Sequence, residues 1–255
     1  MHKKGQVTVF VIIGVLTLFI LLFLFFAKNA AFERFTRSTN VEAHLQTELD
    51  GITTEIQRCM QQETNKAIQE LGQGGGYFTP IHTLTYYGKP FTYLCTIING
   101  KTPCVQQLLT RTSIETRLNQ RLQTTIPMCM KLQAYTNKDY TFTAGTFAIS
   151  SALLPRAVLV NATYPITLTK GSYEVTRMTY PLSVVAPLGL ILDGVHDIIN
   201  SEATDNYFDP LAYSFLKQSI YDIAKHISYP HRVYIVKVYG SDYTFQFAVA
   251  GVRAA

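Results

Sequence analysis

The chain opens with residues 1–28, "MHKKGQVTVFVIIGVLTLFILLFLFFAK", and the reading of that stretch decides the architecture. Residues 7–27 carry no charge, a run of 21. A hydrocarbon core about 30 Å thick needs roughly 20 apolar residues rising 1.5 Å each, so the run has the length of a membrane-spanning helix. A secretory h-region is shorter, about 7–15 residues, and ends at a small-residue cleavage site. Residues 25–31, "FFAKNAA", make a poor version of that site. The run is therefore expected to stay on the chain as a helix. Its flanking charges, Lys3 and Lys4 before it and Lys28, Arg34 and Arg37 after it, do not orient it.

Outward from this stretch, a chain of 255 residues has room for one span and one ectodomain. Hydrophobic residues make up 47% and charged residues 15%, and 16 Tyr and 15 Phe supply bulk for a core. The net charge of +5 forms no block of like sign. Phosphate binding needs clustered Lys and Arg, so a solvated face is expected and a nucleic-acid partner is not.

Lys3-Lys4-Gly5-Gln6 set against an uncharged helix resembles the class III signal peptide of archaeal type IV pilin-like proteins. The resemblance covers about the first tenth of the chain. It implies cleavage between Gly5 and Gln6 by a prepilin-type peptidase, with the helix kept for membrane storage and later packing in a filament. Many pilins carry a Glu at the fifth mature position, where it pairs with a neighbour's terminal amine; here that position is Phe10. The later pattern, a Cys-bearing helix ending in "ELGQGGGYF" and a second helix ending in "IPMCM", resembles uncharacterised membrane-anchored proteins of small-genome archaea.

Beyond the span, Val41, Leu45, Leu49, Ile52, Ile56, Met60, Ala67, Ile68 and Leu71 recur at three- and four-residue steps and predict a helix. Thr39 and Glu42 have capping-box spacing, which predicts a fresh start near residue 40 and a break around 36–39. Gly72 and Gly74-Gly75-Gly76 predict its end; no Lys-Ser/Thr step follows that would make a phosphate cradle. Thr112 and Glu115 form a second box, opening a helix with a stripe of Ile114, Leu118, Leu122 and Ile126 that Pro127 is expected to stop.

Between these helices, Asn99-Gly100 signals a two-residue hairpin turn. Counting outward places Cys95 opposite Cys104 as a non-hydrogen-bonded pair, about 4.5 Å apart at Cα and within reach of a disulfide. The remaining pair, Cys59 and Cys129, would then staple two helices. The alternatives are four reduced thiols, as in cytosolic proteins, or a metal site, although no Cys-x-x-Cys pair occurs. Disulfides agree with an exported domain.

From residue 140 strands dominate, with period-two alternation in "YTFTAGTFAIS" and "AVLVNATYPITLT" and a turn at Lys170-Gly171 into "SYEVTRMTYPLSVV". Thr163–Thr167 and Thr179–Ser183 echo each other, as two edge strands tolerating proline would. Asn161-Ala162-Thr163 is a glycosylation sequon. Helices are expected at about 188–200 and 210–227, the second with Leu211, Phe215, Ile220, Ile223 and Ile227 on one side. A closing hairpin turns at Gly240-Ser241-Asp242, with Tyr243, Phe245, Phe247 and Val249 on one strand face.

The chemistry-bearing residues are few. Asp193, His196 and Asp197 lie at i, i+3 and i+4 and could face a metal, but they also fit the polar side of an amphipathic helix, which is the favoured reading. Asp205, Asn206 and Asp209 lack calcium-hand spacing. No nucleophile elbow, zincin helix or dinucleotide fingerprint occurs, so no enzyme and no cofactor is expected.

The fold class predicted is α+β: a transmembrane and stalk helix followed by an antiparallel-sheet ectodomain with packed helices. The divisions are a leader at 1–5, a transmembrane helix at 6–28, a stalk at 29–72 and an ectodomain at 73–255. Function is read as a pilin-like, membrane-anchored surface protein contacting lipid, self-associating through its N-terminal helix and extracellular if polymerised. The alternative is a single-pass adhesion or binding protein that does not polymerise, its Tyr-rich strands supplying contact area. A membrane-tethered enzyme ranks last. In each case the C-terminal domain lies outside the cytoplasm.

Overall fold

The computed structural model describes residues 4–97, 104–107, 109–136 and 138–251, with the backbone alone for 4–15 and 24–40. The fold is α+β with antiparallel-rich sheets. The first helix, α1 (Lys4–Gln73), is one element of 70 residues, roughly 105 Å long at 1.5 Å each.

The break expected at 36–39 does not occur; the helix continues through Ser38 and Thr39. A capping box satisfies orphan N–H groups, and a helix running on upstream already supplies carbonyls to them. Within the second half of α1, Leu45, Leu49, Ile52, Ile56, Met60, Ala67, Ile68 and Leu71 are all buried. The division expected at residue 72 therefore moves: from about residue 41 onward α1 is the central helix of the head. It ends on the glycine run, where Gly76 N–H donates to Leu71 O at 2.7 Å with Gly75 and Gly76 at φ +61° and +87°. Those angles suit glycine, and the run closes a helix.

The chain then forms β1 (Thr83–Tyr86), β2 (Lys89–Thr96), β3 (Val105–Gln106) and α2 (Arg111–Cys129). Next come β4 (Thr141–Ala144), β5 (Ala148–Leu153), β6 (Ala157–Lys170) and β7 (Tyr173–Val185). Two helices follow, α3 (Leu188–Asp205) and α4 (Pro210–Leu216). Finally β8 (Tyr221–Ser228), β9 (His231–Val238) and β10 (Thr244–Val249) complete the head.

One sheet runs β1-β2-β10-β9-β8 with β3 also on β2, antiparallel except for β2 and β10. The second is built on the β6–β7 hairpin, with β5 and β4 in line along the other edge of β6. A contiguous core joins the inner faces of both sheets to α1, α2 and α3. Phe245, Phe247 and Val249 lie fully in that core, as the alternation in β10 predicts.

Four local expectations are corrected. The N-cap of α2 is Thr110, whose hydroxyl accepts from Ser113 N–H at 3.1 Å; Glu115 instead accepts from Leu153 N–H at 2.8 Å, tying α2 to β5. Pro127 sits inside the last turn, where its missing N–H frees a single carbonyl, so the helix reaches Cys129. The helix expected at 210–227 stops at Leu216: Gln218 and Ser219 take φ +53° and +57°, and 221–228 become β8, paired with β9. Lastly, of the two proline-bearing strands β6 and β7, only β7 lies at a sheet edge. Pro165 lies in central β6 at a register shift between the stretches paired with β5 and β4, and its carbonyl accepts from Gly145 N–H at 2.7 Å.

Candidate functional site

The N-terminal half of α1 has no tertiary cover where its side chains are described. Leu16, Leu18, Phe19, Ile20, Leu21, Leu22 and Phe23 are 46–74% exposed. Residues 16–23 turn through more than two helical turns, so every face of the rod is apolar and open. Among the described residues no helix is long and apolar enough to cross a membrane. Of the uncharged run at 7–27, only 16–23 fall within the described side chains. Gly5, Gln6 and Phe10 lie in α1, with their side chains outside that set.

The other half of α1 is gripped by the head. Cys59 and Cys129 form a disulfide with Cα atoms 5.7 Å apart, joining α1 to α2. Arg121 pairs with Glu70 at 2.8 Å, and Arg177 of β7 reaches Asp50 at 3.1 Å and the Thr53 hydroxyl at 3.0 Å. The Tyr140 hydroxyl donates to Glu48 at 3.0 Å, and burial together with that carboxylate pushes its pKa up. Covalent, ionic and apolar contacts thus fix α1 at several heights.

Cys95 and Cys104 form the second disulfide, with Cα atoms 5.4 Å apart. The pairing matches expectation; the register does not. Cys95 lies opposite Gln106, so Cys104 is its diagonal neighbour. Asn99 and Gly100 lie outside the described residues.

Asp193, His196 and Asp197 share α3, yet each has a separate partner. Asp193 takes Arg111 through two contacts of 2.9 Å, His196 Nε2 meets Leu109 O at 2.7 Å, and Asp197 accepts from the Tyr213 hydroxyl at 2.7 Å. Among the described residues no group of three His, Cys, Asp or Glu side chains could hold a metal. The acidic loop is structural as well. Asn206 closes α3 in the left-handed conformation, and Asp209 caps α4 by accepting from Leu211 and Ala212 N–H at 2.9 and 3.1 Å. Asn161 and Thr163 both point outward from β6, so the sequon is exposed on the outer sheet face.

No family model, no curated protein and no solved structure matches the chain.

One buried group escaped the sequence reading. Glu202 of α3 is fully buried and lies 3.0 Å from Arg232 Nη1 and 3.7 Å from Lys225 Nζ; the Tyr234 hydroxyl donates to it. The Arg232 contact is an ion pair, and Glu202 Oε2 accepts no hydrogen bond among the described residues. Arg232 also donates to both oxygens of Asn206 at 2.6 Å. Burial lowers the pKa of Lys225 against the pull of Glu202, and burial with that carboxylate raises Tyr234. The signal was available: Leu188, Ile191, Val195 and Ile198 define the buried stripe, and Glu202 occupies its next position. Such a charge needs cations in the core.

Proposed function

We propose that this chain is a membrane-anchored surface protein of pilin-like type, with its N-terminal rod in lipid and its disulfide-bonded head outside the cytoplasm. The observation that carries the reading is that a single helix is apolar and uncovered on all sides at residues 16–23 and becomes the buried central helix of the head past residue 41. Water does not tolerate the first surface at such length; lipid or packed copies of the same helix do. The unbroken passage through 36–39 supports the pilin-like form, because a rod and head sharing one helix can be stacked side by side. Two disulfides with no free cysteine support an oxidising compartment.

A second reading is an anchored binding protein that does not polymerise. It is favoured by Phe10, which cannot make the carboxylate–amine contact between neighbouring subunits.

The test is the fate of the chain in cells. Protein from the membrane fraction should resist alkaline carbonate extraction and start at Gln6 by N-terminal mass spectrometry. Sheared surface material examined by electron microscopy then separates the two readings, filaments for the first and none for the second. Recovery of the full chain in the soluble cytosolic fraction with four alkylatable thiols ends both.

A further inference from the structure

A cleft of about 610 Å³ opens where the end of α1, the β5–β6 turn and the β9–β10 turn meet. Asn65 and Gln69, one helical turn apart on α1, form one wall. Arg156 and Asp242 enter from the two turns, Val185 lies at the end of β7 on the same cleft, and Tyr239 stands beside the β9–β10 turn.

Two features set this cleft apart from ordinary surface. Arg156 and Asp242 are exposed and oppositely charged, yet neither makes an ion pair or side-chain hydrogen bond among the described residues. Beside them lie two large apolar surfaces open to water, Val185 at 90% and Tyr239 at 62% exposure. The walls are also held in place. Ala186 N–H donates to Arg156 O at 3.1 Å, Tyr239 N–H to Ile220 O at 3.0 Å, and Tyr243 N–H to the Ser241 hydroxyl at 3.1 Å. A binding surface fixed before the ligand arrives loses less entropy on occupation.

We propose that the cleft binds a saccharide unit. A pyranose presents a rim of hydroxyls and two C–H faces, and this cleft offers the complement of both. The Tyr239 ring and Val185 suit a C–H face. Asn65 and Gln69 each supply a donor and an acceptor for neighbouring hydroxyls, Asp242 accepts only, and Arg156 donates only and suits the carboxylate of an acidic sugar. The site does not depend on polymerisation; it gives the head something to hold at the surface.

The experiment is saturation-transfer NMR on the full chain in detergent micelles, with methyl β-glucoside, methyl β-galactoside, methyl α-mannoside and methyl β-glucuronide as probes. Saturable transfer with a millimolar Kd is expected for at least one sugar. Tyr239→Ala should weaken it at least tenfold, and Arg156→Ala should weaken the glucuronide more than the neutral glycosides. Both side chains are exposed, so the fold should survive, which circular dichroism checks. A Thr179→Ala variant on the outer sheet face should bind as the parent does. No transfer to any of the four sugars, or transfer unchanged by Tyr239→Ala and by Asn65→Ala, overturns the assignment. Micelle binding is read whether or not the chain is anchored in cells, so its failure leaves the membrane reading standing.

Discussion

Removing the Cys59–Cys129 bridge, as Cys59→Ala with Cys129→Ala, should destabilise the head more than removing Cys95–Cys104 in the same way. The two bridges close loops of 70 and 9 residues. Chain entropy alone assigns them about 4.4 and about 2.6 kcal/mol, a difference of about 1.8 kcal/mol. The shorter loop nests within the longer one, which lowers both contributions by about 0.1 kcal/mol and leaves the difference unchanged. The long-loop bridge also joins two helices, α1 and α2, whereas the short one ties β2 to the segment beside β3, a two-residue strand. The assay is urea unfolding of the full chain in detergent, followed by near-ultraviolet dichroism of the tyrosines so that the rod does not contribute. A Cys95/Cys104 variant that loses as much stability as the Cys59/Cys129 variant would refute the view that α1 is stapled into the head across a long loop.

Three further outcomes are expected. Gly51 has open space around its Cα inside α1, so Gly51→Ala should stabilise the helix by about 1 kcal/mol, whereas at Gly72 a Cβ would sit 2.2 Å from Thr244 O and Gly72→Ala should destabilise; paired urea midpoints of opposite sign check this. Glu202→Ala should cost about 3–5 kcal/mol by stranding Lys225 and Arg232 in the core, and Glu202→Gln less, with equal losses in thermal melts counting against the ion-pair account. Burial pushes Tyr180 up to about 12 and raises Tyr234 and Tyr243. Unfolded tyrosines ionise near pH 10, so above that pH the native state binds more protons, and stability should fall by up to about 1.4 kcal/mol per pH unit for each. Absorbance at about 295 nm should then show tyrosines that ionise only on unfolding; complete titration near pH 10 with the fold intact would contradict it.

Legibility in the sequence followed the range of the interaction. The buried stripe of α1, the glycine stop and the alternation in β10 are local patterns, and each was readable from its own segment. So was the cysteine pairing, although the register around it was not: Cys95 pairs with Gln106, and Cys104 is its diagonal neighbour. The residues 220–227 read as helix because Ile220, Ile223 and Ile227 recur at helical steps; pairing with β9 overrides that spacing, and Ile227 ends exposed on β8. Asp193, His196 and Asp197 were correctly placed on one helix, but Arg111, Leu109 and Tyr213, which occupy them, come from elsewhere. The cleft was invisible for the same reason: Asn65, Arg156 and Tyr239 share no local pattern.

The seamlessness of α1 has a mechanical corollary. With no joint between tether and cargo, whatever grips residues 4–40 also aims the head, and tilting one tilts the other. A tug along the rod passes through sulfur at Cys59 into α2, so the load is borne by a covalent strut before it reaches the last turns of the helix.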